Sequence, residues 1–341
     1  MGTALGLATA GPSNAGGLLT TPTSYQGFFF GDFNGASDIQ GRLAVGGNMS
    51  VSNYSVGNAL SNSDNSLNGL TVGGNLSFLG GNVYHGNVAV GGDVKFNSGT
   101  TINNGSLYYG GTATGYNSSA IAPIHMTNGG IANDFFSTQE AYATKESTYL
   151  ANTAANPTNG TSQLKYGTLT LSSNVRDANK VVYFSVTAAQ LASASDTELK
   201  LSGPAAATST TVVVNVIGSM TNSESWHGGL NLNGFSADHV VWNFSTATEI
   251  NASGIGILGS LLAPDATFNF ASGQIDGQVV ALNYGTSTTP SGGEFDPPIG
   301  FKGNLPTLAA TPEPSTFVLA ALGGLGLTWA ALRRRAAKSP V

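Results

Sequence analysis

Four acidic residues offer the clearest route to catalysis in this chain of 341 residues. They are Asp93, Asp265, Asp276 and Glu294. Two carboxyl groups that converge can act as general acid and base on a glycosidic bond. However, each acid stands beside Gly or Pro, where carboxylates commonly accept backbone N–H bonds. Residues 25–306 also contain only two arginines, Arg42 and Arg176, which is little positive charge for an anionic substrate. A polysaccharide lyase or hydrolase is therefore the alternative function, and no catalytic residue is predicted.

A second group of oxygen-bearing side chains comprises Asp32, Asn34 and Asp38. Calcium accepts such ligands, but their spacing departs from an EF-hand loop and the terminal bidentate Glu is missing. The alternative is that Asp32 and Asp38 accept backbone N–H bonds at the first turn. Calcium is the one cofactor that the sequence suggests.

Histidine and serine chemistry has less support. The four histidines, His85, His125, His227 and His239, lack the close spacing of a zinc site. Ser225 and His227 flank Trp226, but no Asp is identifiable as their orienting partner, so this segment is interpreted as a surface loop. The absence of cysteine excludes thiol catalysis, thiolate metal sites and disulfides.

The elements that would position these residues come from a repeat. Leu43-Ala-Val-Gly-Gly-Asn48 recurs as Leu70–Asn75 and Val88–Asp93. Its apolar alternation predicts a short strand with one buried face, and its Gly pair predicts a turn through positive φ. Repeats of about 20 residues that cannot bury their own apolar face predict a solenoid, here a right-handed β-helix with asparagine ladders at its corners. An all-β sandwich is the alternative.

One segment interrupts the strands. Residues 131–151 contain no Gly or Pro and carry apolar side chains at helical spacing. They predict one amphipathic α-helix packed alongside the solenoid, with Asn133 or Asp134 as its cap. Strands dense in β-branched residues resume near Thr168. The predicted fold class is mainly β, with this helix and a C-terminal transmembrane helix.

The C-terminal tail, residues 307–341, carries that transmembrane helix. Thr316 to Leu332 contains no charge and, as a helix, would cover most of a bilayer core. The basic cluster at 333–335 favours the cytoplasmic side, which leaves the body outside the inner membrane. Pro312 and Pro314 predict an exposed, non-helical segment before the helix.

This tail resembles a known sorting signal. Pro312-Glu313-Pro314, the apolar run, Arg333-Arg334-Arg335 and the chain end follow the order of the PEP-CTERM signal of Gram-negative bacteria that make extracellular polysaccharide. The resemblance implies an exosortase as partner at the inner membrane, removal of the tail, and delivery to the envelope, outer surface or matrix. The alternative is an ordinary anchor helix that stays in the membrane.

The body, residues 25–306, resembles the choice-of-anchor A domain. The matching segments are Phe30–Asn34, Asp38–Asn48, Val241–Phe244, Gly259–Ala266, Ile275–Ala281 and Gly292–Phe295. The resemblance implies an adhesin-like surface or matrix protein with β-helix character, and it transfers no catalytic residues. Residues 1–24 are interpreted as a leader or signal-peptide remnant, because the short apolar run Ala4–Ala10 lacks a basic start.

Composition narrows the function. Only 9% of residues are charged and the formal net charge is −6, which excludes nucleic-acid binding. A surface rich in Gly, Asn, Ser and Thr can hydrogen-bond neutral sugars, so exopolysaccharide or surface glycans are the predicted partners. The predicted function is an exported, non-catalytic, adhesin-like envelope or matrix protein of an exopolysaccharide biofilm. An ice- or carbohydrate-binding module is a further alternative, although no regular T-x-T ladder repeats.

Overall fold

The computed structural model describes residues 17–20, 25–118, 121–153, 155–221 and 224–306. The chain divides into two units, Met1–Pro306 and Thr307–Val341. The sorting segment, the predicted transmembrane helix at 316–332 and the arginine cluster lie outside the described residues, as does most of the predicted leader. Within the described residues, no helix combines the length and the apolar character needed to span a membrane.

Strands dominate the described residues, and two α-helices accompany them, which confirms the mainly β class. The strands are β1 (Tyr25–Phe29), β2 (Phe33–Gly35), β3 (Asp38–Ile39), β4 (Arg42–Val45), β5 (Met49–Val56), β6 (Asn68–Val72), β7 (Leu76–Val83), β8 (Asn87–Val90), β9 (Val94–Phe96), β10 (Thr100–Ile102), β11 (Leu107–Tyr109), β12 (Ala113–Thr114), β13 (Pro123–His125), β14 (Thr161–Lys165), β15 (Thr168–Ser173), β16 (Val181–Thr187), β17 (Asp196–Leu201), β18 (Thr211–Ile217), β19 (Gly229–Asn231), β20 (Val240–Asn243), β21 (Glu249–Leu258), β22 (Ser260–Asp276), β23 (Val279–Tyr284) and β24 (Glu294–Phe295). The helices are α1 (Phe135–Ala151) and α2 (Ala188–Ser193), and short 3-10 turns span Asn62–Asp64, Thr127–Gly130, Gly203–Ala206 and Ala237–His239.

One row of parallel strands, row A, runs through the whole described domain. Its order is β16–β18–β20–β22–β23–β1–β4–β6–β8–β11–β13. The first strand therefore lies between β23, from near the end of the domain, and β4. The N-terminal strands continue the row on one side of β1, and the C-terminal strands continue it on the other.

Two further parallel rows share long strands with each other. Row B has the order β21–β22–β23–β2–β5–β7–β9–β12. Row C has the order β21–β22–β24–β3–β5–β7–β10. The shared strands contain residues with positive φ, namely Asn53, Gly80, Gly81, Gly254 and Gly273. The strands β14–β15–β17–β19 form a separate sheet in which only β14 is antiparallel to its neighbour.

The recurring Gly-Gly pairs lie at the corner between rows A and B. None of Gly46, Gly73 and Gly91 has a positive φ, so the predicted reason for glycine was wrong. Instead, a Cβ on Gly73 would collide with the carbonyl oxygen of Gly46, and a Cβ on Gly91 with that of Gly73. Glycine is needed because successive corners approach each other too closely for a side chain. Gly110 repeats this contact on Gly91 in a fourth corner, which the sequence pattern did not include because Tyr109 replaces Val and Thr112 replaces Asn or Asp.

The main hydrophobic core lies between the three rows, where alternate residues of the strands point inward. Leu43, Val51 and Val56 contribute to it from rows A, B and C respectively. Its largest members include Trp226 and Trp242, which are both fully buried with ring centroids 4.8 Å apart. Buried aromatic pairs of this kind contribute both apolar area and favourable ring geometry.

Helix α1 packs on the outer face of row A, over the C-terminal strands β18, β20 and β22. The predicted helix is present, but it begins at Phe135 rather than Ile131, and Asp134 at its N-cap makes no side-chain cap bond. A second apolar cluster joins Leu150 of the helix to Tyr183, Val213 and other outward residues of row A. The buried face of α1 consists of Gln139, Ala143, Glu146, Ser147 and Leu150. This face is more polar than the apolar face that the helical spacing predicts.

Two polar groups lie beneath α1. Asn243 is fully buried, donates to the carbonyl oxygen of Ser147 (2.9 Å) and accepts from the Ser147 hydroxyl (2.6 Å). Glu146 is also fully buried, but both of its carboxylate oxygens lack a hydrogen-bond partner among the described residues. Burial raises the pKa of Glu146 to about 7, because a charge there loses its hydration.

Candidate functional site

A ladder of side-chain hydrogen bonds follows the corner between rows A and B. The Oδ1 atom of Asp32 accepts the N–H of Asn48 (2.7 Å), and Oδ1 of Asn48 accepts that of Asn75 (3.0 Å). The Oδ1 atom of Asn75 accepts the N–H of Asp93 (2.8 Å), and Asp93 accepts that of Thr112 (2.7 Å). The predicted ladder of corner asparagines is therefore present. Each such bond contributes about 1 kcal/mol to stability.

The ladder also crosses the junction between the two ends of the domain. The Oδ1 atom of Asn283, on β23, accepts the N–H of Asp32 (2.7 Å). The amide of Asn283 donates in turn to the Thr267 hydroxyl on β22 (3.1 Å). The corner that the N-terminal repeats use is thus continuous with the last C-terminal strands, although residues 267–283 lack the V-G-G-N motif.

A groove of about 420 Å³ opens where the ladder crosses from β23 to β2. The stacked rings of Phe33 and Tyr284, 4.7 Å apart, lie beneath it. Its other lining residues are Asp32, Asn34, Asn48, Ser50, Thr267, Asn283, Gly285, Thr286 and Ser287. This volume is at the small end of the range for ligand pockets, and hydroxyl and amide groups dominate the lining.

The outer face of row B extends this groove along the N-terminal strands. The strand register aligns Asn34, Ser50, Ser77, Lys95 and Thr114 across successive strands. Because neighbouring strands lie about 4.8 Å apart, the line presents hydrogen-bonding groups at a regular spacing with a single charge. We call this line, together with the ladder side chains and the groove, the polar ladder face.

The three predicted calcium ligands do not form one site. Asp32 and Asn34 line the groove, whereas Asp38 lies on β3 in row C, in register with the strand that carries Glu294. Burial, and then the negative charges of Glu294 and Asp296, raise the pKa of Asp38. Among the described residues, no three His, Asp or Glu side chains are close enough to hold a metal ion. Calcium stays a prediction.

The four acids considered for catalysis are separated in the same way. Asp93 belongs to the ladder, where the N–H and the hydroxyl of Thr112 hold the pKa of its carboxyl below the usual value. Asp265 is exposed on β22. Asp276 and Glu294 lie in the paired segments of β22 and β24 in row C, where Gln274 is in register with Glu294, and burial raises the pKa of Asp276.

The segment around Trp226 does not pair a serine with a histidine. The Nδ1 atom of His227 donates to the backbone carbonyl of Ser225 (2.7 Å), while the Ser225 hydroxyl lies 3.0 Å from that of Ser253. Elsewhere, His85 bonds to Asn65 (2.9 Å) and His125 donates to the carbonyl of Gly110 (3.0 Å). Each of these imidazoles contacts its own local partner.

His239 differs from the other histidines because it lines a cavity, which the sequence did not predict. The cavity has a volume of about 660 Å³ and lies near the ends of β17 and β19. The Nδ1 atom of His239 donates to Asp238 (2.7 Å), which also accepts from the Ser236 hydroxyl and from Nζ of Lys302 (3.1 Å). Although burial opposes ionisation, these hydrogen bonds lower the pKa of Asp238 to about 2. The adjacent Asp238-His239 pair was the available sequence signal, but Lys302 lies far along the chain.

A known sorting motif matches the C-terminal tail. Residues 310–335 match the PEP-CTERM protein-sorting motif, which confirms the predicted sorting signal and implies export to the cell envelope or surface as an exosortase substrate. A solved structure of an ice-binding protein from an Antarctic bacterium, Flavobacteriaceae, is similar with 11% identity and a TM-score of 0.29, over 83% of this chain and 82% of that chain. Comparison with curated proteins gives no match.

The body of the chain matches one family model. Residues 18–296 match the family described as "Putative Ice-binding-like adhesive domain". The choice-of-anchor A name is carried by neither family match and stays a prediction. Because the match covers most of the chain, this protein belongs to the family of ice-binding-like adhesive domains, and with its sorting motif it is an exported, adhesin-like surface protein.

Proposed function

We propose that this protein is a non-catalytic surface adhesin that holds neutral polysaccharide through the polar ladder face. The observation that carries the proposal is the line of amide and hydroxyl groups on row B, which is continuous with the groove at the β23–β2 junction. A neutral sugar chain can exchange its water contacts for such groups without a charged partner. The exopolysaccharide of a biofilm supplies a ligand of this kind.

The test uses the full chain and a neutral exopolysaccharide. We expect the protein to be retained on immobilised polymer, with no release of reducing ends or unsaturated products. Ser77→Arg should weaken retention about tenfold, because a long cation interrupts the outer line of row B. Thr148→Arg, at an exposed position on α1, is the matched control and should bind normally. Turnover that disappears in Asp276→Ala or Glu294→Ala would establish the lyase or hydrolase alternative instead.

The family name gives ice as a second candidate ligand for the same face. The aligned row contains Ser50, Ser77 and Lys95 rather than repeated threonines, so a dedicated ice plane has less support. Ice-recrystallisation assays with the full chain and with Ser77→Arg separate the two ligands. Inhibition by the unaltered chain that Ser77→Arg removes would favour ice.

For the fold, we infer that rows A, B and C form a right-handed β-helix. The supporting observations are the parallel pairing along each row and the repeated passage of the chain from row A to row B to row C. An experimental structure with Greek-key connections between two packed sheets would contradict this inference.

For delivery, we infer that the body is exported through the inner membrane of a Gram-negative bacterium and is held there by residues 316–332. An exosortase then recognises Pro312-Glu313-Pro314 and removes the tail. Glu313→Ala should leave the unprocessed protein in the inner-membrane fraction. A mature protein whose mass still includes Arg333, Arg334 and Arg335 would identify the tail as a permanent anchor.

A further inference from the structure

A second groove lies on strands that row B does not include. The cavity of about 660 Å³ beside His239 shares Lys200 and Leu201 with an adjoining cavity of about 460 Å³. The adjoining cavity extends over the ends of β14 and β15, at Thr161 and Ser172. We call the two together the corner groove. Each part has the size of a small-molecule pocket.

The corner groove runs across strands rather than along them. The register places Thr161, Ser172 and Lys200 side by side on β14, β15 and β17. At about 4.8 Å between strands, a ligand that follows this direction meets a new strand end at each step. Beyond Lys200 the groove continues to Asn233 and Phe235, after β19. A groove that crosses successive strands fits a chain of linked rings better than one compact molecule.

The part of the groove near β19 combines apolar and polar surfaces. Leu201, Leu232 and Phe235 provide an apolar patch. Beside it, Asn233 is fixed because its amide donates to the carbonyl oxygen of Leu199 (2.7 Å). His239 also lines the groove and is fixed by its Nδ1 bond to Asp238, so its other ring nitrogen, Nε2, is available to a ligand. An apolar patch flanked by oriented amide and imidazole groups suits the C–H face and the hydroxyls of a sugar ring.

The charges of the corner groove are already paired. Nζ of Lys200 lies 2.8 Å from the Glu198 carboxylate, and Nζ of Lys302 lies 3.1 Å from that of Asp238. An anionic ligand would have to compete with these carboxylates for each cation. The pairing therefore favours a neutral ligand over a uronate or a sulfated chain.

We propose that the corner groove binds a short segment of neutral polysaccharide, at a site separate from the polar ladder face. This inference rests on the proposed adhesive function and refines its ligand class. The ladder face would contact the polymer over a long, flat surface. The corner groove would enclose a few of its rings.

The test is calorimetric titration of the full chain with neutral gluco-oligosaccharides of increasing length, and with a uronate oligosaccharide as the charged comparison. Thr208 is exposed at the wall of the groove, so Thr208→Arg fills the groove without removing a buried contact. We expect Thr208→Arg to weaken neutral-oligosaccharide binding at least about tenfold. Ser77→Arg, on the polar ladder face, should leave that binding unchanged.

The outcomes separate this inference from the proposed function. Equal binding by Thr208→Arg and the unaltered chain, at an unchanged unfolding midpoint, would overturn the corner-groove site. Tighter binding of the uronate would overturn the neutral ligand class. If no oligosaccharide binds but Ser77→Arg still loses retention on polymer, only the corner groove is wrong. If the unaltered chain neither binds oligosaccharide nor is retained on polymer, both proposals fail.

Discussion

Between residues 42 and 114 the chain repeats nearly the same corner between rows A and B. Between residues 181 and 284 it does not, although both segments contribute strands to row A. In the N-terminal repeats, glycine backbones stack directly and the asparagine ladder joins one corner to the next. In the C-terminal strands, Trp226 and Trp242 fill the interior and helix α1 covers the outer face.

The difference concerns which interaction fixes the strand register. A repeated corner can specify register through the close approach of glycine backbones and one side-chain hydrogen bond per repeat. Strands without that corner depend on large buried side chains and on an added layer. Substitutions at the corner should therefore destabilise the N-terminal repeats, and loss of buried volume should cost more in the C-terminal strands than in the repeats.

The largest effect is expected in the C-terminal interior. Trp242→Ala should reduce the free energy of unfolding by about 4 kcal/mol, because it opens a cavity and removes the Nε1 bond to the carbonyl of Leu258. Leu70→Ala in the N-terminal repeats should cost about 3 kcal/mol, and exposed Leu67→Ala almost nothing. Denaturant unfolding of the full chain measures all three. An equal loss in Trp242→Ala and Leu70→Ala would remove the distinction between the two interiors.

The next effect is pH-dependent and is specific to the helix-covered side. The folded-state pKa of Glu146 is raised from 4.5 to about 7. Below pH 4.5 the carboxyl is protonated in both the folded and the unfolded state, so the cost of burying its charge does not reduce stability there. Stability should fall as the pH rises from 4.5 to about 7, by about 3 kcal/mol, and then level off. The ionisable side chains that interact with it are Tyr142 and Tyr183, which stay neutral in this range.

Glu146→Gln should abolish that fall in stability and raise the unfolding free energy at pH 8. Glu140→Gln, at an exposed position on the same helix, is the control and should keep the wild-type pH profile. Unfolding midpoints of the wild type and both variants, measured across the pH range, test this prediction. A profile for Glu146→Gln that parallels the wild type would show that the carboxyl is hydrated in solution.

A smaller effect is expected at the stacked corners. Gly73→Ala should cost about 2 kcal/mol, because the new methyl group meets the carbonyl of Gly46 and the backbone must shift. Gly99→Ala is the matched control, since its added Cβ would have only ordinary contacts, the nearest at 3.5 Å. Thermal unfolding compares the two. Equal midpoints would show that the corners have room to relax.

The smallest effect concerns one rung of the ladder. Asn75→Ala should destabilise the domain by about 1 kcal/mol, because the N–H of Asp93 loses its acceptor. Asn62→Ala, at an exposed position in a 3-10 turn, should change stability very little. Amide hydrogen exchange offers a local readout, with faster exchange expected at Asp93 in the first variant and at no ladder residue in the second.

The sequence predicted those parts of the fold that local spacing specifies. The V-G-G-N recurrence located the corners and their ladder, and the uninterrupted segment 131–151 located α1. It could not predict that Asn283 continues the ladder to Asp32. Pairing between strands so far apart in the chain produces no repeat in the sequence. The role of Gly73 was misjudged for a related reason, since a close approach between repeats cannot be seen within one repeat. Likewise, Lys302 reaches Asp238 only in the folded chain.

The position of β1 between β23 and β4 has a consequence for the order in which an exported chain can fold. If the N-terminus crosses the membrane first, β1 can pair with β4 early, but its other edge stays open until β23 has crossed as well. An open strand edge is a template for pairing with other chains. The domain therefore reaches an aggregation-resistant state only after nearly all of its strands have been translocated. Circular permutation that joins β23 directly to β1 would close that edge early and shorten the vulnerable interval.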